Sequence, residues 1–258
     1  MFASALVASM MLLADASVGQ AAEAAPAPLS CLERHYDVHA VWKDNDWWGR
    51  LPDGRDVRYD DGQVKSLDQL LNHPTLRDMF VMPYVRGAVT KQPAENDDPG
   101  RVRVDALFAT TFPMNRASVE TLLFLGQKVR VHRRALAAFT AVEQRLQTLL
   151  RDRPDLRAHL LPLGGTIAKR NIAGTQRASA HSFGIAIDIN PKRAVYWRWR
   201  RDNIGKPIPI DALPDQAIVD AFESEGFVWG GRWYHTDTMH FEYRPELLDP
   251  ACQLNAKL

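Results

Sequence analysis

The sequence predicts an α+β fold, in which helices pack against a small sheet. Its carboxyl-terminal part alternates a helix, a strand, a second helix and a second strand. This order fits an α+β domain better than a doubly wound parallel sheet. With 258 residues, the chain has room for one large domain, or for one domain with a smaller lobe. The formal net charge of +1 argues against nucleic acid as a partner, because nothing suggests a surface built on bulk positive charge.

The amino terminus is typical of a secretory signal peptide. A mostly apolar run from Ala5 to Ala14 ends at Asp15, and mainly small residues follow as far as Ala22. No Lys or Arg precedes the run, which departs from the usual pattern. The run is too short to span a bilayer comfortably. We therefore predict a signal peptide at 1–21, a periplasmic or extracellular protein, and no stable membrane span after its removal.

The next segment has a different composition. Residues 22–30 are rich in Ala and Pro and are predicted to form a linker. We assign 22–100 to a linker and an amino-terminal accessory region, and 101–258 to the main domain. The polar segment Gln92–Gly100, which contains two prolines, is predicted to be a loop. The role of residues 31–100 is left open.

The chain contains two cysteines, Cys31 and Cys252. In an oxidising compartment they can pair and join the two ends of the mature chain. Two free thiols are equally compatible with the sequence, because a sequence does not show whether the cysteines are close.

Two helices are predicted from the spacing of apolar residues. The first runs from about His132 to Arg151, with apolar residues mostly three or four positions apart: Leu136, Phe139, Val142, Leu146, Leu149 and Leu150. The second runs from Pro214 to Glu225, because Pro214 suits a first turn and Gly226 suits a carboxyl-terminal cap.

Two strands are predicted beside these helices. Gly184–Ile189 alternates, with three isoleucines on one face, so that Asp188 points away from that face. Met239–Tyr243 is predicted to be a second, short strand. A carboxylate inside an apolar strand is costly unless a cation or hydrogen-bond donors surround it, which makes Asp188 the first candidate for a functional side chain.

Zinc would satisfy the charge of Asp188. Catalytic zinc commonly takes three protein ligands from His and carboxylate side chains and keeps a position open for water. His181, Asp188 and His240 supply such a set, although an isolated histidine is more often a hydrogen-bonded residue than a ligand. A carboxylate ligand acidifies the water less than a third histidine would, so a nearby base is expected. Asp237, three residues before His240, is the candidate base.

Three ordered blocks carry a family resemblance. Ser179–Asp188 matches Ser-x-His-x-x-Gly-x-Ala-x-Asp, and Gly226–Trp233 matches Gly-Phe-x-Trp-Gly-Gly-x-Trp. Asp237, His240 and Phe241 match Asp-x-x-His-Phe. In these blocks the chain resembles the zinc D-Ala-D-Ala carboxypeptidase and L-Ala-D-Glu endopeptidase family of bacterial and phage cell-wall peptidases. The resemblance covers roughly residues 101–250.

The resemblance implies a fold and a metal site. The fold is a small antiparallel sheet that carries a mononuclear zinc site and is flanked by helices, as in Hedgehog and DD-peptidase domains. One Zn²⁺ ion is bound by His181, Asp188 and His240. Asp237 is the general base that accepts a proton from the attacking water.

Other roles follow from the same resemblance. An arginine before the first block faces the developing oxyanion; Arg170 is the best match, and Arg177 competes for the role. Ser179 helps to position the substrate or a metal ligand. Trp233 is a candidate for substrate binding and Trp229 for the cleft wall, although core packing explains either tryptophan equally well.

The implied activity is hydrolysis of peptidoglycan stem peptides. Removal of the terminal D-Ala and cleavage between L-Ala and D-Glu require the same chemistry, so the bond remains open. Asp237 stands where some branches of the family have Glu, which looks more like the endopeptidase branch. A non-catalytic, zinc-containing cell-wall-binding or regulatory protein is the alternative, and the presence of both Asp237 and Arg170 argues against it.

Three further interpretations are weaker. His181 and Asp188 could merely hydrogen-bond each other across a hairpin. A serine hydrolase built from Ser179, His181 and Asp188 lacks the Gly-x-Ser-x-Gly elbow. The segment Tyr196–Arg201 interleaves aromatic and basic residues, as some nucleic-acid surfaces do. A loop beside the substrate cleft, or packing of its tryptophans, explains that segment better.

Overall fold

The computed structural model describes residues 24–89, 91–172, 175–199, 208–209 and 212–254. The predicted signal peptide lies outside these ranges. The described residues form short helices and three small antiparallel sheets, so the predicted α+β class is confirmed. None of the described helices is long and apolar enough to cross a membrane.

The amino-terminal region begins with a helix where a linker was predicted. Helix α1 spans Ala27–His35, so the linker prediction for 22–30 is wrong from residue 27 onward. Pro28 stands in the first turn, where its missing N–H has no intrahelical partner to lose. Leu29 and Leu32 are fully buried on one side of the helix. Burial of these leucines stabilises a helix that local composition does not indicate.

A three-stranded sheet and a short helix follow α1. Strands β1 (His39–Lys43), β2 (Asp46–Arg50) and β3 (Asp56–Arg58) pair antiparallel in that order. Helix α2 spans Leu67–Asn72. Ser66 caps α2 by accepting from the backbone N–H of Gln69, whose side chain accepts in return from the Ser66 N–H.

The middle of the chain contains a helix, a hairpin and the longest helix described. Helix α3 spans Asp105–Thr111, strands β4 (Val119–Phe124) and β5 (Gln127–His132) form the hairpin, and α4 spans Leu136–Asp152. The helix predicted from about His132 therefore begins four residues later. His132 ends β5 and its Nδ1 accepts from the Arg134 N–H, which starts a 3-10 turn before α4.

The third sheet, which we call the site sheet, contains β6 (Leu163–Gly165), β7 (Ala186–Ile189), β8 (Phe227–Trp229) and β9 (His240–Tyr243). Its order is β6-β7-β9-β8, and all neighbours are antiparallel. Asp188 on β7 and His240 on β9 are directly opposite each other. Paired residues project to the same face of a sheet, so this register brings the two side chains together.

Two helices accompany the site sheet. Helix α5 spans Arg157–Leu160 and α6 spans Gln216–Glu223. The predicted second helix is therefore shorter at both ends. Asp215 caps α6 by accepting from the backbone N–H of Ala217, which places Pro214 before the helix rather than in its first turn.

One hydrophobic cluster connects the amino-terminal region with the site sheet. It includes Leu29 and Leu76 from the first hundred residues, and Phe139, Phe222 and Phe241 from the rest of the chain. The boundary at residue 101 thus passes through a shared core. The division into an accessory region and a main domain stays a prediction.

The structure joins Cys31 of α1 to Cys252 in a disulfide, with the Cα atoms 5.2 Å apart. This distance lies within the usual range for a disulfide.

We expect the double variant Cys31→Ser/Cys252→Ser to lower the free energy of unfolding by about 2–5 kcal/mol, because the unfolded chain loses a long closed loop. Urea unfolding measures the change. A reductant should destabilise the wild type and leave the variant unaffected; equal unfolding midpoints for oxidised wild type and variant would contradict the expectation.

Candidate metal centre and active site

The first candidate ligand lies in a tight turn before β7. His181 belongs to the 3-10 turn Ala180–Phe183, which ends at Gly184. Gly184 has a φ of +66°, and a Cβ there would come within 2.9 Å of the backbone nitrogen of His132. Only glycine suits both conditions. The turn therefore packs tightly on the end of β5 and directs His181 towards β7.

His181, Asp188 and His240 converge on one point. Nε2 of His181 lies 3.2 Å from Oδ1 of Asp188, and Nδ1 of His240 lies 3.0 Å from the same oxygen. One donor atom from each of the three side chains lies within 4.8 Å of the others. All three residues are buried, with at most 9% of their surface exposed. The structure thus brings together the residues that the sequence analysis selected as ligands.

The outer nitrogens of both imidazoles are held by acceptors. Nδ1 of His181 lies 2.9 Å from the carbonyl oxygen of Thr166, which can only accept. Nε2 of His240 lies 3.1 Å from Oε2 of Glu242. When neutral, each ring places its proton on this outer nitrogen and its lone pair towards Asp188. Two lone pairs and a carboxylate oxygen then face one another, an arrangement that requires a cation.

The electrostatics of the metal-free protein lead to the same conclusion. Burial raises the pKa of Asp188, but His181 and His240, which donate to it when they are protonated, outweigh that effect and lower the pKa well below its usual range. Burial lowers the pKa of His240, but Asp188 and Glu242 outweigh it and raise the pKa to about 10. Without another cation, a proton on His240 balances the buried carboxylates. A metal ion bound here would displace that proton.

The donor set fits zinc. Two imidazole nitrogens and one carboxylate oxygen are common ligands of catalytic zinc, with bonds of about 2.0–2.2 Å. The edge of a tetrahedron with such bonds is about 3.4 Å, close to the 3.2 and 3.0 Å found between the donor atoms. The outer hydrogen bonds to Thr166 and Glu242 are those that orient metal-binding histidines.

Glu242 anchors His240 from the side away from Asp188. Its Oε1 accepts from Nη1 of Arg244 at 3.1 Å, and its Oε2 lies 3.9 Å from Nη1 of Arg103.

We expect Glu242→Gln to weaken zinc binding about 10- to 100-fold, because an amide holds the imidazole less firmly than a carboxylate. Competition with a chromophoric chelator measures the affinity. Glu120→Gln, an exposed glutamate on β4, is the matched control; equal affinities for both variants would contradict the role of Glu242.

Asp237 lies beside the three candidate ligands. Its backbone N–H donates to the Gly230 carbonyl at 2.9 Å, and a Cβ at Gly230 would come 2.6 Å from the Asp237 carbonyl oxygen. Its Oδ1 is buried and has no hydrogen-bond partner in the part of the chain that is described. Burial raises the pKa of Asp237 to about 7, with Asp188 adding to the rise and His240 and Arg170 opposing it. A carboxylate with this pKa is suited to proton transfer near neutral pH.

The candidate ligands and Asp237 adjoin a cleft of about 590 Å³. Arg170 lines the cleft with an exposed side chain. Arg177, the competing arginine, is instead buried and donates to the carbonyl oxygen of Arg101. Ser179 is a buried residue of the cleft wall. Of the two arginines, Arg170 is therefore the one placed to face a substrate.

The two candidate tryptophans have different positions. Trp233 lines the cleft with its ring centroid 5.7 Å from that of His240, while its Nε1 donates to the Pro99 carbonyl. Trp229 is a core residue that donates to the Thr238 carbonyl and stacks on Phe241. Trp233 thus remains the candidate for substrate contact, and Trp229 supports the sheet.

One side of the cleft contains residues that were not predicted from the sequence. Arg101, Arg103 and His235 all line it. A signal was present in Pro99-Gly100-Arg101-Val102-Arg103, where a turn precedes two arginines that alternate with valine. Another wall contains Tyr196 and Trp197, which agrees with a loop beside the cleft. The last residues of the segment, 200–201, lie outside the described ranges.

The weaker interpretations lose support. Both ring nitrogens of His181 are engaged, by Thr166 and Asp188, and no contact to the hydroxyl of Ser179 is present, as a serine hydrolase would need. His181 and Asp188 do hydrogen-bond each other, but His240 shares the same oxygen. A simple hairpin pair does not explain that third group.

Comparison with known proteins supports the resemblance. Residues 173–243 match the family model described as D-alanyl-D-alanine carboxypeptidase. No curated protein and no solved structure gives a significant match. The matched segment contains His181, Asp188, Asp237 and His240, whereas Arg170 and the amino-terminal wall of the cleft lie outside it. The resemblance recognised in the sequence is thereby confirmed: residues 173–243 are similar to the D-alanyl-D-alanine carboxypeptidase family.

Proposed function

We propose that this protein is a zinc metallopeptidase that hydrolyses stem peptides of peptidoglycan. One observation carries the proposal: His181, Asp188 and His240 converge beside Asp237, whose buried Oδ1 has no hydrogen-bond partner among the described residues. The match of residues 173–243 to the carboxypeptidase family supports the same reaction class. A Hedgehog/DD-peptidase-like fold for the 101–258 domain is part of this proposal.

The residues have distinct roles in the proposed reaction. His181, Asp188 and His240 hold one zinc ion, which when bound polarises the scissile carbonyl and acidifies a water molecule. Asp237 accepts the proton of the attacking water and afterwards passes it to the leaving amine. Arg170 faces the oxyanion that develops on the substrate. Ser179 and Trp233 border the bound peptide.

We also propose that the protein acts outside the cytoplasm. The apolar run near the amino terminus is typical of a signal peptide. The disulfide between Cys31 and Cys252 suits an oxidising compartment. Peptidoglycan lies in that compartment, so the location and the substrate are consistent.

The test uses the chain without residues 1–21, loaded with zinc, and a stem pentapeptide as substrate. Mass spectrometry of the products distinguishes loss of the terminal D-Ala from release of the amino-terminal L-Ala. Chelation should abolish cleavage and added zinc should restore it. An intact peptide after incubation with protein of confirmed zinc content would refute the peptidase.

A non-catalytic cell-wall-binding or regulatory protein is the second candidate. The metal centre is compatible with it, but a binding protein has no need for a buried carboxylate oxygen that, like Oδ1 of Asp237, has no partner among the described residues. Binding to isolated peptidoglycan that persists without any cleavage would favour this candidate.

A further inference from the structure

Arg101 presents an unused edge of its guanidinium to the cleft. Its Nη1 donates to Oδ2 of Asp98 at 2.8 Å. Within the described ranges, this is the one side-chain hydrogen bond that Arg101 makes. Its other guanidinium nitrogens are not buried, so they are accessible from the cleft. The side chain is 13% exposed and lines the same cleft as Asp237 and His240. It can therefore bind a group that enters the cleft.

Asp98 and the surrounding backbone hold Arg101 in place. Asp98 is fully buried and also accepts from the backbone N–H of His235 at 2.8 Å and from its Nδ1 at 2.7 Å. The carbonyl oxygen of Arg101 accepts from Nη2 of Arg177 at 2.7 Å, and that of Gly100 accepts from Arg244. An arginine that serves only solubility does not need such fixation; a binding residue gains from it, because less freedom is lost on binding.

The aromatic residues beside Arg101 complete a pocket. Its guanidinium carbon lies 5.9 Å from the centre of the Trp197 ring. Burial raises the pKa of the neighbouring Tyr196, and the positive charges of Arg101 and Arg170 oppose that rise. Both guanidinium groups are thus within electrostatic reach of the Tyr196 hydroxyl. Arg170 also acts on Asp237, so the pocket is continuous with the candidate catalytic group.

The cleft is lined by three arginines, Arg101, Arg103 and Arg170, and by two carboxylates, Asp237 and Glu242. Asp98 accepts hydrogen bonds from both Arg101 and His235. Nε of Arg103 donates to Asp105 at 3.0 Å. Burial and the charges of Arg103 and Arg101 lower the pKa of Arg177 to about 10. Among the described residues, no acidic side chain pairs with Arg170. An anionic group on a ligand would relieve this repulsion.

We propose that Arg101, flanked by Tyr196 and Trp197, is a specificity-determining subsite that binds a carboxylate of the peptide substrate. The planar fork of arginine suits a carboxylate, which accepts two parallel hydrogen bonds. This inference rests on the proposed function. Stem peptides with lysine as the third residue offer two such carboxylates, at the peptide terminus and on the α-carbon of D-Glu, and the chemistry of the pocket is the same for both.

Three peptides test the subsite: the free pentapeptide, its carboxyl-terminal amide, and the peptide with D-isoglutamine in place of D-Glu. We expect one of the two amidations to raise KM for the wild type about 10- to 100-fold, as for loss of a hydrogen bond to a charged group. The kcat should change little. The peptide that loses affinity identifies the carboxylate that is bound.

Arg101→Gln should bind the free peptide as weakly as the wild type binds the amidated peptide that has lost affinity. The variant should no longer distinguish these two peptides. Arg101→Lys keeps the charge but not the fork, and should retain part of the discrimination. Arg145→Gln, an exposed arginine that does not line the cleft, is the control. Zinc content and unfolding midpoints show whether each variant is folded.

Calorimetric binding of the same peptides separates this inference from the proposed reaction. Carboxylate-dependent binding without any cleavage would sustain the subsite and refute the peptidase. Cleavage with equal KM for all three peptides, or discrimination that survives in a folded Arg101→Gln variant, would overturn the subsite alone. Absence of both binding and cleavage would overturn both.

Discussion

Asp237→Asn is expected to lower kcat for stem-peptide hydrolysis by about 10²–10⁴-fold, the range for loss of a general base. The amide has nearly the same shape as the carboxylate but does not accept a proton. Oδ1 of Asp237 has no hydrogen-bond partner among the described residues, so the substitution removes no hydrogen bond at that atom. Zinc content and the unfolding midpoint should therefore stay close to those of the wild type.

The comparison needs a carboxylate whose loss is harmless. Asp220 on α6 is exposed and does not line the cleft, so Asp220→Asn makes the same chemical change at a neutral position. Steady-state kinetics of both variants with the free pentapeptide measures the effect. Full activity of Asp237→Asn would assign proton transfer to another group, and loss of zinc from that variant would indicate a structural role.

Arg244→Met is expected to lower the free energy of unfolding by about 3–5 kcal/mol, as for loss of one partner of a buried ion pair. Arg244 is fully buried. Its Nε donates to Glu246 at 2.6 Å, and its Nη1 donates to Glu242 at 3.1 Å and to the Gly100 carbonyl. Burial lowers the pKa of Arg244, but the negative charges of Glu246 and Glu242 and the hydrogen bond to Glu246 outweigh that effect and raise the pKa above its usual range. Methionine would leave Glu246 without its cation and would remove one of the two arginines beside Glu242.

Urea unfolding measures this loss, and Arg145→Met is its matched control. Arg145 pairs with Glu225 but its side chain is 55% exposed, so its loss should change the free energy of unfolding by at most about 1 kcal/mol. Adding Glu246→Gln to Arg244→Met should restore part of the stability, since it removes the carboxylate that has lost its cation. Equal destabilisation by the two arginine substitutions would contradict a special role for the buried network.

The grouping of the candidate metal ligands was predictable because these residues lie in short, regular segments. Asp188 interrupts an apolar strand, and the interruption by itself indicates a charge that needs a partner. Asp237 and His240, three residues apart in one block, form a second group of polar side chains that can act on a metal or a proton. The pairing of β7 with β9 then places Asp188 directly opposite His240.

The amino-terminal wall of the cleft was not predictable in the same way. Arg101 is held at the site by Asp98, which also binds His235, and by Arg177, and both His235 and Arg177 lie far along the chain. Helix α1 was predicted as a linker because Ala and Pro dominate its beginning, whereas burial of Leu29 and Leu32 decides its structure. The pairing of Cys31 with Cys252 likewise depends on how distant segments pack.

The bond between Cys31 and Cys252 gives the folded chain the topology of a ring. These two residues are 221 positions apart in sequence, so most of the protein lies inside one covalent circle. A single proteolytic cut anywhere on that circle opens it without releasing a fragment, and the cut protein keeps its core and its cleft wall on one molecule. New chain ends introduced in an exposed loop would have the same effect. Outside the cytoplasm, where we propose that the protein acts, this closure would extend the time over which a nicked molecule remains whole.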